Sequence, residues 1–371
     1  MSWEKVRLGD VVFIKTGKLD ANASSSNGEY PFFTCSKDPL KISSYSYDTE
    51  CVLVAGNGDL NVKYFKGKFD AYQRTYIIEV QNENVLLIKY LYYFIDTCLV
   101  SLREKSIGGV IKYIKLENLT ELLIPLPPLA TQKRIADILD TADALRRKDQ
   151  ELLTKYDQLA QAIFIDMFGD PVKNEKGWEV KKLGDCIDFM TSGSRGWAQY
   201  YSDEGDVFLR INNVGYNQMK LNDVVYVKPP NSAEAKRTLV SPNDMLLSIT
   251  ADLGRTSIIP ESFPKAYINQ HLAILRFQKE YQPKFISQLL ASEYGKLQFM
   301  KLNKGGVKAG LNFDDIKSIE FLNPKISLQK KYIEIIEELQ KQINNKIECN
   351  SHSTSLFSSL IQQAFNGTLV S

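Results

Sequence analysis

The sequence predicts a mixed α+β protein built from two copies of one unit, each a globular part followed by a single long helix. Three observations lead there. The chain repeats itself at a nearly fixed spacing, the stretches ahead of each helix are short runs of Tyr, Phe, Val and Ile broken by turn residues, and two long segments carry apolar side chains every third or fourth position.

The repeat comes first because it orders everything else. Trp3-Glu4-x-x-x-Leu8-Gly9-Asp10 returns as Trp178-Glu179-x-x-x-Leu183-Gly184-Asp185, at an offset of 175. A second set sits at an offset of 197: Gly108-Gly109-Val110 with Gly305-Gly306-Val307, Pro127 with Pro324, Gln132-Lys133 with Gln329-Lys330, and Phe168 with Phe365. The growth of the offset places 22 additional residues in the second copy, between Asp185 and Gly305. The chain therefore divides into a globular part at 1–125, a helical segment at 126–170, a second globular part at 171–322 and a second helical segment at 323–371.

Within the globular parts, Cys51 to Ala55 ahead of Gly56-Asn57-Gly58-Asp59, and Tyr76 to Val80, read as strands. Asn57-Gly58 is a hairpin signal, because both residues tolerate positive φ. Ile88 to Leu102 and Lys284 to Leu302 read as helices, which makes the parts α+β rather than all-β. Trp3 and Trp178 are most simply core anchors of the two copies.

The first long helix follows Pro125-Leu126-Pro127-Pro128, a sequence that cannot itself be helical. Ile135, Leu139, Ala142, Leu152, Tyr156, Leu159 and Ile163 then recur at helical spacing, with one weaker turn near Asp149, until Gly169-Asp170-Pro171 stops the run. At 1.5 Å per residue, such a helix is roughly 57 Å long. Its second copy runs from Ser327, a plausible N-cap, to Phe365, with Ile336, Leu339, Ile343, Ile347, Leu356 and Leu360 in the stripe. Two narrow stripes in one chain predict an antiparallel coiled coil with an approximate two-fold axis.

Composition narrows the function. Of 371 residues, 44% are hydrophobic and 24% charged, as in an ordinary globular protein. Five scattered cysteines with no C-x-x-C pair favour neither structural zinc nor a bridged, secreted fold. The opening Met-Ser-Trp-Glu-Lys lacks the pattern of an export signal, and no stretch reaches a membrane span, so a cytoplasmic, non-membrane setting is expected. With only His271 and His352, histidine-based catalysis or metal binding has little material. Phosphate-loop, dinucleotide-turn, zinc-protease and nucleophile-elbow motifs are missing. Lys228-Pro229-Pro230-Asn231 lacks the flanking residues of a base-holding methyltransferase motif and reads as a turn. No catalytic machinery, metal or cofactor is expected on this chain.

Binding chemistry is better represented, although a net charge of +2 requires any polyanion surface to be local. Lys63, Lys66 and Lys68 alternate with Tyr64 and Phe65; Arg103, Lys105, Lys112 and Lys115 surround Gly108-Gly109; Lys296, Lys301, Lys304 and Lys308 surround Gly305-Gly306. A glycine pair flanked by lysines lets amides and ammonium groups approach phosphates, against the plainer reading of a solvated turn. Side chains suited to base edges sit in polar loops: Gln73, Arg74, Arg210, Asn212, Asn213, Arg255, Asn269, Gln270 and His271. Taken singly, each could equally be a turn or strand residue.

The order of parts, with Leu-Ile-Pro-Leu-Pro-Pro-Leu-x-x-Gln-Lys-Arg-Ile at 123–135, Phe168-Gly169-Asp170, the repeated Trp-Glu-x-x-x-Leu-Gly-Asp and a second helix, resembles the specificity subunit of type I restriction-modification systems over essentially the whole chain. The second copy departs at Asn323-Pro324-Lys325-Ile326, where one proline of the entry survives. The resemblance implies two target-recognition domains, each reading one half of an asymmetric, interrupted DNA site, with the helices as the ruler between them. It implies double-stranded DNA, two methyltransferase subunits and two motor-nuclease subunits as partners, and leaves S-adenosylmethionine, ATP and Mg2+ to those subunits. Two other classes compete. A stand-alone nuclease or methyltransferase predicts activity without partners, and a coiled-coil scaffold that ignores DNA predicts no salt-dependent duplex binding.

Overall fold

The structure, a computed structural model, describes residues 3–303 and 310–370. Its contacts divide the chain into two units, one formed by the residues up to Leu153 together with those from Asn345 onward, the other by Thr154–Asn344. Each long helix is thus shared between the two units.

In unit 1 the strands are β1 (Lys5–Arg7), β2 (Val12–Thr16), β3 (Tyr30–Phe33), β4 (Leu40–Ile42), β5 (Tyr47–Ala55), β6 (Val62–Ala71) and β7 (Thr75–Val80). Helices α1 (Ile88–Glu104) and α2 (Leu116–Thr120), strand β8 (Leu123–Pro125) and the long α3 (Leu129–Phe168) follow. Six strands form one sheet in the order β2-β7-β5-β6-β3-β4, antiparallel except for β6 beside β3, while β1 pairs with β8. Alternation along the strands gives the sheet two apolar faces. Val52, Val54 and Ile78 pack under Tyr90, Leu91 and Phe94 of α1, and Phe33, Leu53, Phe69 and Ile77 form a smaller cluster. Asn57-Gly58 does lie in the loop joining β5 to β6, with Gly58 at φ 69°.

Unit 2 contains β9 (Val180–Lys182), β10 (Ile187–Ser192), β11 (Tyr201–Ser202), β12 (Asp206–Leu209), β13 (Val225–Val227), α4 (Ala233–Thr238), β14 (Met245–Ser248), β15 (Thr256–Ile258), β16 (Ala266–Ile268) and β17 (Leu272–Phe277). It continues through α5 (Pro283–Ala291), α6 (Glu293–Leu302), α7 (Phe313–Ser318), β18 (Glu320–Leu322) and α8 (Ile326–Asn366). The sheet is split into β10-β17-β14-β15 and β11-β13-β12-β16. Lys284 to Leu302, expected as one helix, is two. The chain is extended at Ser292, and Gly295 lies so close to the end of α5 that a Cβ there would stand 1.9 Å from the Leu290 carbonyl oxygen.

The strand registers of the two units superpose pair by pair. Thr16 faces Tyr76 as Ser192 faces Ala273, Val54 faces Tyr76 as Leu247 faces Ala273, and the parallel pair Phe33 with Ala71 returns as Leu209 with Ile268. These matches locate the additional residues of the second copy. One is Asp188, in a β-bulge where Ile187 pairs with Phe277 but Phe189 pairs with Arg276. Seventeen fall between Leu209 and Leu247, nine ahead of β13, which pairs with β12 as β4 pairs with β3, and eight after it, where α4 lies; the other four lie between Leu247 and Ile268. The growth occurs in loops and short elements around a common frame.

In unit 1, Ile135, Leu139 and Ala142 of α3 are buried with Phe357, Ile361 and Ala364 of α8. In unit 2, Tyr332 of α8 meets Phe164 and Phe168 edge-on at 5.6 and 5.2 Å. The weak turn near Asp149 is filled by polar groups, since the Asp149 carboxylate receives the Lys346 ammonium at 2.5 Å and the Ser353 hydroxyl at 2.9 Å. Helix α8 starts at Ile326, so Ser327 lies inside the first turn instead of capping it; the Leu328 and Gln329 amides donate to the Lys325 carbonyl.

The glutamine of the repeated Gln-Lys pair explains how a proline-rich strand exit becomes a helix. Gln132 is fully buried, its amide nitrogen donating to the Pro127 and Val85 carbonyls and its Oε1 accepting from the Leu87 amide, all at 2.9 Å. Gln329, also buried, donates to Pro324 at 2.7 Å and to Asn323 at 3.2 Å. Gln132→Leu would strand the buried Pro127 carbonyl, at about 1–3 kcal/mol, and leave two part-buried backbone groups to water. We expect it to lower unit 1 stability by about 2 kcal/mol in urea unfolding, with a smaller loss for Gln329→Leu.

Candidate nucleic-acid interface

One edge of unit 1 gathers four loops: the exit of β2 at Gly17-Lys18, the β5–β6 loop, the turn Tyr72-Gln73-Arg74, and the segment from Lys105 to Ile114. Backbone bonds lock them together. Gly17 donates to Thr75, Gly56 to Arg74, Ile114 to Gly56 and Gly58 to Lys112, over 2.8–3.0 Å. Gly17 is needed for this approach, because a Cβ there would lie 2.1 Å from the Ala71 carbonyl oxygen. Gln73 and Arg74 are exposed, line a cavity of about 260 Å³ with Thr16, Gly56, Tyr76 and Ile114, and make no side-chain hydrogen bond or ion pair among the described residues.

Beside them, Ile107 and Tyr113 exchange backbone bonds of 2.9 and 2.8 Å, closing a small hairpin over Gly108 (φ 117°) and Gly109. Val110 at its tip is fully exposed, and Lys105 and Lys112 flank it in solvent. Lys18, exposed at the β2 exit, belongs to the same edge and escaped the sequence reading because it stands alone in sequence.

Unit 2 builds the same platform from different residues. Gly193 donates to Leu272, Ile249 to His271, Leu311 to Ile249 and Asn269 to Leu209, over 2.9–3.2 Å, each the counterpart of a unit 1 bond. Arg210 to Asn213 and Asn269 to His271 come together here, at the ends of the parallel strands β12 and β16. Most of these side chains are engaged within the protein. Arg210 is paired with Asp223 at 2.7 Å and Arg255 with Asp252 at 2.6 Å. Buried Asn213 donates to the Lys220 and Asp223 carbonyls, and buried Asn269 accepts from the His271 amide, so both shape loops. Asn212 is exposed. The Gln270 amide nitrogen stands 3.0 Å from His271 Nε2, and the Thr250 hydroxyl 2.5 Å from His271 Nδ1. Lys304, Gly305, Gly306 and Lys308 lie outside the described residues.

The lysines of β6, read in sequence as alternating with aromatic residues, do not share one surface. Side chains alternate across a strand, so Lys66 and Lys68 leave from one face and Lys63 from the other. Lys66 is paired with Glu50 at 2.8 Å, Lys68 lies over the Tyr45 ring at 4.8 Å, and Lys63 touches Asn61. Burial also pushes the Lys63 ammonium below its ordinary range.

Among the described residues, no group of three or more His, Cys, Asp or Glu side chains is placed to hold a metal, and no helix is long and apolar enough to cross a membrane. The family model for the type I restriction modification DNA specificity domain matches this sequence twice, at residues 1–155 and 175–349. The EcoDI specificity subunit of Escherichia coli is 42% identical over 143 residues, a match that spans 38% of this chain and 31% of that protein's length. The EcoBI specificity subunit, also from Escherichia coli, is 24% identical over 86% of this chain and 74% of its own. Among solved structures, a type I restriction-modification S subunit from M. genitalium superposes with a TM-score of 0.66 at 16% identity, covering 98% of this chain and 96% of that one. A chain of a type I system characterised for complex assembly and conformational transition gives 0.56 at 18% identity, covering 99% and 98%.

Proposed function

This chain belongs to the type I restriction-modification DNA specificity family, and from that premise we propose that it is the non-catalytic, DNA-reading subunit of such a complex, recognising an asymmetric site in two halves. The observation that carries the reading is the duplicated platform: one backbone frame, locked by equivalent hydrogen bonds, bears Tyr72-Gln73-Arg74 in unit 1 and Asn269-Gln270-His271 in unit 2. Equal frames with unequal side chains are what reading two different half-sites requires. Residues 1–125 and 171–322 serve as the reading domains, and 126–170 with 323–371 as the spacer.

Phosphate contacts fall to exposed cations beside glycines, chiefly Lys18, Lys105 and Lys112. In this reading two methyltransferase subunits and two motor-nuclease subunits bring S-adenosylmethionine, ATP and Mg2+, and the complex works in the cytoplasm. Extrusion of the target adenine belongs to the methyltransferase, which alone needs access to its reactive atom.

Co-expression with the host's adenine methyltransferase subunit, followed by single-molecule sequencing for N6-methyladenine, tests this. A bipartite asymmetric motif should appear only when the chain is present; methylation that is independent of the chain would sink the proposal. Exchanging residues 178–322 for those of another family member should change one half-site and spare the other. Duplex affinity should fall linearly on a log-log salt plot, and Lys105→Ala with Lys112→Ala should flatten the slope by about two.

A further inference from the structure

We infer that Gln73 and Gln270 are matched base-reading residues, each taking an adenine edge in its own half-site, and that Arg74 against His271 sets a difference between the halves. This rests on the DNA-reading function proposed above and names where that reading occurs.

The equivalence is topological. In unit 1 the turn between β6 and β7 is fixed at four points: Tyr72 donates to Phe33, Thr75 to Tyr72, Gly17 to Thr75 and Gly56 to Arg74. In unit 2 the turn between β16 and β17 is fixed by Asn269 to Leu209, Leu272 to Asn269, Gly193 to Leu272 and Ile249 to His271. Even the flanking bridges correspond, Asn57 with Tyr113 in one unit and Thr250 with Gly310 in the other. Gln73 and Gln270 therefore occupy the same place, and both are glutamine.

Both turns are also packed closely against the strand beside them. Gly17 and Gly193 press on the strand ends so closely that a Cβ would lie 2.1 Å from Ala71 oxygen and 2.2 Å from Asn269 oxygen. A fixed turn presents its side chains at low entropic cost. Glutamine offers a donor and an acceptor together, which is the pattern of adenine N7 and N6 in the major groove, whereas arginine offers the paired donors that match guanine. Arg74 is exposed, and its side chain makes no hydrogen bond or ion pair among the described residues that would hold it from that contact. His271 is instead held between Thr250 and Gln270, and so orients Gln270. The other arginines considered as readers, Arg210 and Arg255, are neutralised by Asp223 and Asp252.

The test uses the full chain co-expressed with its methyltransferase subunit. Gln73→Ala should relax one A·T position of one half-site in the methylation motif, Gln270→Ala one A·T position of the other, and Arg74→Ala a G·C position beside the first. On purified complex, a duplex carrying the mapped motif should lose roughly tenfold or more in its preference over the same duplex with that base pair replaced. Relaxation at unrelated positions, or an unchanged motif at undiminished methylation, overturns the inference. If methylation disappears altogether, the duplexes decide. Equal weakening on cognate and scrambled duplexes means phosphate contact and overturns it, whereas selective loss on the cognate duplex upholds it. Wild-type methylation that ignores this chain would overturn the parent reading instead, so the two failures are separable.

Discussion

Four residues inserted after Leu152 together with four after Cys349 are expected to lengthen the preferred spacer by one or two base pairs while both half-sites stay as they were. The two insertion points are equivalent, 197 apart, and each lies inside an unbroken helix. Four helical residues add about 6 Å, against about 3.4 Å per base-pair step. Lysine as the first residue inserted after Cys349 would stand seven before Ser353, where Lys346 stands now, and keep an ammonium beside Asp149. The effect should be large, because a site with the original spacer would then satisfy only one reading unit. Losing several base contacts, each worth about 1–3 kcal/mol, removes specific binding by more than a hundredfold. Methylome sequencing reads the outcome. A changed half-site, or unchanged spacing with full methylation, would count against separate reading and spacing parts.

Much of this architecture was legible because helical period and duplication are strong signals. The stripe from Ile336 to Leu360 placed the second helix within one residue at each end, Ile326–Asn366 against Ser327 to Phe365. The interface was less legible, for reasons of geometry. Lys63, Lys66 and Lys68 are neighbours in sequence, yet the pleat of β6 separates them. The counterions of Arg210 and Arg255 come from loops whose fold sequence does not announce, and Asn213 and Asn269 look like free readers until their amides are traced to backbone groups. One signal was available and unused. The 197 offset that begins visibly at Gly108 reaches back to Gln73 and Gln270, but the additional residues around Leu209–Leu247 and the lack of flanking identities hide it until strand registers are compared.

Replacing Lys346 with aspartate is expected to destabilise unit 1 more than replacing it with alanine, and adding Asp149→Lys should restore most of the loss. Asp149 and Lys346 are themselves equivalent positions, 197 apart, and here they meet each other. The Asp149 side chain is 5% exposed and that of Lys346 23%, so water screens the pair poorly. Lys346 and the Ser353 hydroxyl hold the Asp149 carboxyl below its usual range. A carboxyl depressed in the folded state stabilises above its unfolded pKa, near 4, and ceases to do so as pH falls through the folded value. The contribution is therefore complete at neutral pH and lost only in acid. Lys346→Asp leaves two carboxylates facing each other and turns that dependence around, so the variant should gain stability on mild acidification, over a range in which the parent still keeps this contribution. Ser353 can donate or accept, which lets the reversed pair keep its third member. The pair also bears on which helix meets which, because α3 and α8 are copies of one segment. Like pairing in the same antiparallel register would set Asp149 against Asp149, or Lys346 against Lys346, whereas pairing within one chain joins acid to base. Urea unfolding of the single and double variants at pH 7 and pH 4.5 measures the stability terms, and equal midpoints for Lys346→Asp and Lys346→Ala would show that the sign of the charge facing Asp149 contributes nothing.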